Sequence, residues 1–359
     1  MPSIYPVETL GQLIAHLNDE RQIESYHAES CLLVSVEQNS PEPDLAAIRG
    51  QEHVKRALAV AASGGHNLVL SGSPGSGRRV LARCLPSLLP RMSFEEALDV
   101  TRIYSVSGML PTTTPLMAQR PFRALHPPVS HDVLVGDGSQ AVAGEMSLAH
   151  RGVLFLDELA ECGQGEQDIV CQALEEKVVS IAHEQGIVVY PASFMLIASM
   201  RPCPCGFASD PIQACTCSAR SIARYQKRMH ARLLEHFDMQ VEVPRVDDEK
   251  LADRRNVETS EVVRSRVEAA REQQRRRLAG TKITRNAAMG PAEVRAFCQM
   301  EAAGEKLLQA AMQQLHLTVR ASQRTLKLAR TIADLAESEL IKANHMAEAL
   351  HYRMRVGLS

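Results

Sequence analysis

Two rhythms of apolar residues divide this chain. Between Leu45 and Pro244, short apolar runs alternate with segments of helical periodicity. The runs Asn67-Leu-Val-Leu-Ser71, Gly152-Val-Leu-Phe-Leu156 and Phe194-Met-Leu-Ile-Ala-Ser199 are those of strands buried on both faces of a parallel sheet. Helical segments between them predict an α/β layer structure with helices on both faces. After Pro244 no strand pattern remains. A helix is predicted over 246–280, with Asp247, Asp248 and Glu249 early and Arg275-Arg-Arg277 late, as the helix dipole favours, and with Gly280 as its stop. Further helices are predicted over about 290–303, 304–317, 321–337 and 343–354. Ahead of Leu45 lie a weak helical pattern from Val7 to Leu17, an apolar run Cys31-Leu-Leu-Val-Ser-Val and a polar linker Gln38-Asn-Ser-Pro-Glu-Pro-Asp44. The expected organisation is an N-terminal segment and linker at 1–44, a sheet domain at 45–244 and an all-helical domain at 245–359, with no internal repeat.

The first strand runs into Gly72-Ser73-Pro74-Gly75-Ser76-Gly77-Arg78-Arg79 and then a helical run from Val80. This is the spacing of the G-x-x-x-x-G-K-[ST] phosphate loop, in its strand–loop–helix context. Its glycines let backbone N–H groups turn inward, and the helix N-terminus adds positive potential for phosphates. A second strand ends in Asp157-Glu158, the kind of acid pair that holds Mg²⁺ and polarises water in P-loop enzymes. An accidental glycine turn beside two surface acids is the bland alternative, and the double match disfavours it. Two positions depart from the motif. Arg78 stands where lysine is usual, and its planar guanidinium cannot sit as a compact ammonium does. Arg79 replaces the Ser/Thr whose hydroxyl would ligate Mg²⁺.

Composition adds few constraints. With 40 Lys+Arg against 42 Asp+Glu, whole-chain charge decides nothing about a nucleic-acid partner, so local patches must. Aromatic residues make up 4% and Trp is absent, which argues against extensive base-stacking surfaces. No apolar stretch is long enough to span a bilayer, and residues 1–20 lack the pattern of a signal peptide. Nine Cys without an export signal point to a reducing compartment, the cytoplasm, and to free thiols or metal ligands. Cys203, Cys205, Cys215 and Cys217 form a C-x-C…C-x-C set that can close tetrahedrally on a structural Zn²⁺, with inert buried thiols as the alternative. Arg220, Arg224, Lys227, Arg228 and Arg232 are expected to give one helix a basic stripe, facing DNA phosphates, a neighbouring subunit or only solvent.

Seven segments in order resemble the ComM/YifB branch of the magnesium-chelatase-like AAA+ proteins: Ile48-Arg-Gly-Gln-Glu-His53, Ala61-Ala-Ser-Gly-Gly-His-Asn67, Met92-Ser-Phe-Glu-Glu-Ala97, Gly144-Glu-Met-Ser-Leu-Ala-His150, Gly152 to Glu158, Pro202-Cys-Pro-Cys-Gly206 and Ala329-Arg-Thr-Ile-Ala-Asp-Leu335. The resemblance covers nearly the whole chain. It implies an α/β P-loop AAA+ domain, its parallel sheet sandwiched by helices, followed by an all-helical C-terminal lid. It implies ATP as ligand, ring oligomers, and for ComM-like members a DNA branch-migration motor. It also implies inserted hairpins within 103–150, and an N-terminal Lon-protease-like domain whose absence is expected here because the chain starts near the linker that follows it. Carried onto this sequence, the sensor-1 asparagine position is Arg201, the arginine-finger position is His236 in Leu233-Leu-Glu-His-Phe-Asp238, and the sensor-2 arginine is kept as Arg320. Asp157 and Glu158 are kept. Arg232, four residues before His236, is a possible substitute finger or a solvated helix charge.

Three function classes follow: a nucleotide-binding ring component with weak or lost hydrolysis, which pairs with itself or with an intact AAA+ paralogue; an active ATP-driven DNA motor; and a metal-chelatase subunit. The substitutions at Arg78, Arg79, Arg201 and His236 place the first ahead, and they put Mg²⁺ use in question.

Overall fold

A computed structural model describes residues 5, 7, 9–25, 43–110, 116–139, 142–184, 186–208, 210, 212–229, 231–245 and 258–353. Met1–Asn39 and Ser40–Ser359 are two separate units. In the first, the Thr9 hydroxyl caps helix α1 (Leu10–Leu17) by accepting from the Gln12 N–H. The apolar run 31–36 lies outside the described residues.

Among the described residues of the second unit nine strands follow one another: β1 (Leu68–Ser71), β2 (Phe122–Leu125), β3 (Gly136–Asp137), β4 (Val142–Ala143), β5 (Val153–Leu156), β6 (Val178–His183), β7 (Gly186–Pro191), β8 (Met195–Met200) and β9 (Met239–Glu242). Five of them build one sheet in the order β2-β5-β8-β1-β9, and every pairing in it is parallel. Leu68, Leu70, Val153, Phe155, Met195, Ile197, Met239 and Val241 join one apolar core on one face. Val69, Leu154 and Leu196, at the alternate positions, are just as buried on the other. That two-sided burial is why β1, β5 and β8 read as unbroken apolar runs.

The helices that accompany these strands are α2 (Glu52–Gly64), α3 (Arg78–Leu88), α4 (Phe94–Val106), α5 (His131–Val135), α6 (Glu145–Leu148), α7 (Gln164–Glu176), α8 (Ala219–Gln226) and α9 (Ala231–Leu234). The C-terminal helices are α10 (Ser260–Arg277), α11 (Pro291–Phe297), α12 (Ala302–Gln314), α13 (Val319–Leu335) and α14 (Ala343–His351). Val263 and Val267 of α10 and Leu328, Ala329, Ile332 and Ala333 of α13 enter the same core as α2 and α3, so the helical region is packed onto one face of the sheet. The architecture is the expected α/β parallel sheet with a helical C-terminal region.

Several elements differ from the sequence reading. The helix expected over 246–280 starts at Ser260, where the Thr259 side chain accepts from the Val262 N–H; residues 246–257, with Asp247, Asp248 and Glu249, lie outside the described residues. Strands β2 and β9 occupy the sheet edges, and β6 and β7 form a separate antiparallel hairpin. Within 103–150 the described hairpin is the small β3–β4 pair, while the longer one, β6–β7, follows at 178–191.

Gly152 marks a close chain crossing just before β5. A Cβ there would lie 2.0 Å from the Pro121 carbonyl oxygen, backbone that cannot swing aside. Gly152→Ala is expected to cost about 2–3 kcal/mol, read as a lowered urea midpoint with an unchanged slope.

Candidate nucleotide-binding site

In a parallel sheet the carboxyl ends of neighbouring strands lie side by side, each about 4.8 Å from the next. Here β8 sits between β1 and β5, with Ser71 level with Met200 and Leu156 level with Ala198. The loops leaving those strands therefore converge: Gly72–Gly77 after β1, Asp157-Glu158 after β5 and Arg201 after β8. Ligands of open α/β sheets bind at such carboxyl ends.

The phosphate loop folds as its glycines require. Gly75 and Gly77 have φ of 80° and 88°, and a Cβ at either would meet nothing within 4 Å. That side of the turn is open. Gly77 is the N-cap of α3 and offers no side-chain cap, so the helix N–H groups face that side without a protein acceptor of this kind. Ser73 and Ser76 are buried, and the Ser76 hydroxyl has no partner among the described residues. Gln51 fixes the loop from behind by donating to the Ser76 carbonyl and to the Pro244 carbonyl, both at 3.0 Å.

Arg78 and Arg79 open α3, where the dipole disfavours cations, and the first turn holds no acid to offset them. The acid pair supplies the offset from across the sheet. Arg78, buried, donates to the Met200 carbonyl and, at 3.2 Å, to Glu158 Oε1. Arg79 donates to Asp157 Oδ2, and His126 Nδ1 lies 3.3 Å from both that oxygen and Arg79. Ser199 donates to Asp157 Oδ1. Arg201 Nε donates to Glu158 Oε2 at 3.0 Å and its other nitrogens reach Pro204 and Glu161. Burial pushes the Asp157 carboxyl up, but the hydrogen bonds from Ser199 and Arg79 and the charges of Arg79 and His126 outweigh it and hold it below its ordinary value. For Arg201, Glu158 outweighs burial and raises the guanidinium.

A nucleotide triphosphate fits this donor set: an open glycine turn, a free helix N-terminus, an orphaned hydroxyl and two guanidiniums. A magnesium ion fits less well while the guanidiniums stay on the acids. It needs near-octahedral oxygen ligands at about 2.1 Å. Each of the four carboxylate oxygens of Asp157 and Glu158 accepts from Arg78, Arg79, Arg201 or Ser199, and Arg79 brings no hydroxyl.

The remaining predicted residues form two other groups. Arg232 and His236 meet on one carboxylate, Glu175, with Arg232 Nε at 3.1 Å and His236 Nε2 at 3.3 Å. The Arg232 hydrogen bond and then His236 hold Glu175 below its ordinary value. Arg320 does not join the phosphate loop of its own chain; it is 85% exposed and lies 3.6 Å from Glu235, beside His236. The basic stripe is also corrected. Helix α8 ends at Gln226, so Arg220 and Arg224 belong to it, Lys227 and Arg228 follow it, and Arg232 sits on α9. The turn at 227–229 and the pairing of Arg228 with Glu161 break the stripe.

The four cysteines converge. Their sulfurs all lie within 4.8 Å of one another, in an arrangement that can hold a metal ion. Cys203 and Cys205 are 3.3 Å apart, Cys203 and Cys215 3.7 Å, and Cys205 and Cys215 3.6 Å.

His126, Ser199, Glu161 and Glu175 complete these groups and were not singled out from sequence. A hydroxyl ending an apolar strand, as Ser199 does, was the one signal available.

The sequence profile described as "Magnesium chelatase, subunit ChlI" matches residues 44–251, and "Magnesium chelatase, subunit ChlI C-terminal" matches residues 257–353. The chain belongs to this magnesium-chelatase-like family. It is 38% identical to the uncharacterized protein YifB of Escherichia coli K12 over 312 residues, 86% of this chain and 60% of that protein. It is 40% identical to the competence protein ComM of Haemophilus influenzae Rd over 317 residues, 88% of this chain and 61% of that protein. With the uncharacterized protein Rv2897c of Mycobacterium tuberculosis H37Rv it shares 37% identity over 350 residues, 97% of this chain and 68% of that protein. These relatives place it in the ComM/YifB branch, and the chain spans about 60% of the length of the first two. Among the described residues no helix is long and apolar enough to cross a membrane.

Proposed function

We propose that this chain is an ATP-binding AAA+ ring component in which arginines take the place of the divalent cation, so that it binds triphosphate and hydrolyses it poorly. The observation that carries this reading is the pairing of Arg78 and Arg79 with Glu158 and Asp157. Triphosphate brings about four negative charges, which Mg²⁺ normally offsets in part. Arginine–phosphate contacts are strong and often bidentate, so Arg78 and Arg79 can turn from the acids to the phosphates. A guanidinium in that place neutralises charge but does not align water for in-line attack.

His236, Arg232 and Arg320 lie away from the phosphate loop of their own chain, and the ring reading has them face a neighbour's nucleotide. That neighbour is a second copy or an intact paralogue, in the cytoplasm, where the free thiols stay reduced. The second reading, a working ATP-driven DNA motor, is favoured by the kept acids Asp157 and Glu158 and by the identity to ComM.

Calorimetry with ATP in Mg²⁺ and again in EDTA, alongside phosphate release, separates the two. We expect affinities within about threefold of each other in the two buffers, a difference under about 0.7 kcal/mol. Turnover should lie far below about one per second, near the low end of working enzymes. Binding that vanishes in EDTA, or turnover near one per second, would overturn the weak-hydrolysis reading.

A further inference from the structure

We infer that the four-cysteine set is a zinc centre that braces the phosphate loop from outside, so that zinc occupancy sets nucleotide affinity. The first half rests on the sulfur geometry. Four thiolates at about 2.3 Å around one Zn²⁺ stand about 3.8 Å from each other. The separations among Cys203, Cys205 and Cys215, 3.3, 3.6 and 3.7 Å, approach that value, and the Cys217 sulfur lies within 4.8 Å of the other three. Backbone N–H groups point at the sulfurs, as they do where thiolate charge has to be stabilised: Gly206 N to Cys203 Sγ at 3.2 Å, Cys205 N to Cys217 Sγ at 3.4 Å and Cys217 N to Cys215 Sγ at 3.4 Å. The chain here is short of regular structure, with a turn between the two pairs, so little besides a metal would hold four sulfurs together. The other described cysteines, Cys84, Cys162, Cys171 and Cys298, take no part in such a group.

The second half rests on what the centre touches. Gly206, adjacent to the ligand Cys205, has φ of 88°, and a Cβ there would lie 2.6 Å from Pro74 Cδ in the middle of the phosphate loop. Cα of Gly206 and the Pro74 ring are therefore packed without space between them. Pro204, between two ligands, accepts from Arg201 at 3.2 Å, and Arg201 in turn holds Glu158. The cysteine loop thus abuts the cradle directly and reaches one of its acids through Arg201. Zinc binding fixes Gly206 and Pro204, which limits how far Pro74 and Arg201 can move, and a cradle ordered in advance binds more tightly.

This inference rests on the nucleotide reading above for its affinity readout, so the test carries a second one. The full chain is purified with zinc and without chelator. We expect close to one Zn per chain, lost from Cys217→Ser and kept in Cys298→Ser. Stripping zinc with an organomercurial and a colorimetric chelator, then reversing the mercurial with thiol, should weaken ATP binding by about tenfold or more. Adding zinc alone back should restore it. Amide exchange at residues 72–77 should accelerate on zinc removal whether or not ATP binds, while the exchange of β1 and β5 stays unchanged. Gly206→Ala should keep its zinc, yet push on Pro74 and weaken ATP to a similar degree. Folded chain without stoichiometric zinc, or zinc loss that leaves both exchange at 72–77 and ATP affinity unchanged, overturns the inference. Zinc-dependent protection of 72–77 in a chain that binds no ATP upholds the brace and refutes the nucleotide reading alone.

Discussion

Replacing Arg78 by Lys, Arg79 by Thr, Arg201 by Asn and His236 by Arg together is expected to raise ATP turnover by about 10²-fold or more, given that an arginine finger alone is worth about 10³–10⁵. Three of the changes each undo one feature of the acid site. Arg79→Thr frees Asp157 Oδ2 and supplies a hydroxyl for Mg²⁺; Arg201→Asn frees Glu158 Oε2. Arg78→Lys replaces the fork now bound to Met200 and Glu158 with a compact ammonium. His236→Arg places a cation beside Glu175, which in the proposed ring would face a neighbour's nucleotide. The four act on one transition state, so single reversions should gain little and the set should be far from additive. ATP binding should at the same time become dependent on Mg²⁺. Adding Glu158→Gln to the set should abolish the gain, which separates true hydrolysis from a contaminant. A fourfold variant that binds Mg²⁺-ATP, keeps its circular dichroism and still turns over like the parent would show that the arginines are not what limits the reaction.

How far the sequence disclosed this site depended on which kind of pattern each part carries. The central strands β1, β5 and β8 announce themselves because both their faces are covered. Edge strands β2 (Phe122-Arg-Ala-Leu125) and β9 (Met239-Gln-Val-Glu242) mix polar with apolar residues over four positions, too few for an alternation to stand out. The hairpin β6–β7 does alternate, with Val179 and Ile181 buried between exposed neighbours, but short alternating segments are easily read as loop. Arg78 and Arg79 were legible as departures from a motif. The acids Asp157 and Glu158 and the position of Arg201 were legible too, but not their pairing with the arginines, nor His126 and Ser199, because these residues come from separate strand ends and only the sheet order brings them together. The basic stripe failed for a local reason. Helical spacing of Arg220, Arg224, Arg228 and Arg232 assumes an unbroken helix, and α8 stops at Gln226. Two segments that carried the family resemblance proved to touch each other: His66, in Ala61–Asn67, lies 2.8 Å from the hydroxyl of Thr331, in Ala329–Leu335.

That contact belongs to the network on which the fold's second large expected effect depends. Asp334, fully buried on α13, accepts two hydrogen bonds from Arg277, at 2.7 and 2.6 Å, one from Arg330 at 3.0 Å and one from Asn286 at 2.8 Å. Arg330 is itself 2% exposed, and its outer nitrogens donate to the Ser338 and Glu339 carbonyls. Burial lowers the Arg330 guanidinium and Asp334 pushes it back only in part. Asn286 also donates to Thr331, whose hydroxyl meets His66, and His66 pairs with Asp238 at 2.9 Å just before β9. One carboxylate thus joins α10, α13 and, through Asn286 and Thr331, His66 at the amino end of β1, with Asp238 before β9 one step further. Replacing a buried ion pair whole can be neutral, but removing one partner strands the other charge and costs about 3–5 kcal/mol. Asp334→Ala leaves two guanidiniums facing a cavity, so a loss of about 4 kcal/mol is expected, a large part of the 5–15 kcal/mol that holds a typical domain folded. Arg330→Met in the same chain should cost less than the sum of the two single changes, since it removes one of the stranded charges. Urea unfolding of the parent, the two single variants and the double gives the cycle directly. A loss under about 1 kcal/mol for Asp334→Ala, the range of a surface pair, would mean that water reaches Arg277 and Arg330 and that the network does not tie the helical region to the sheet.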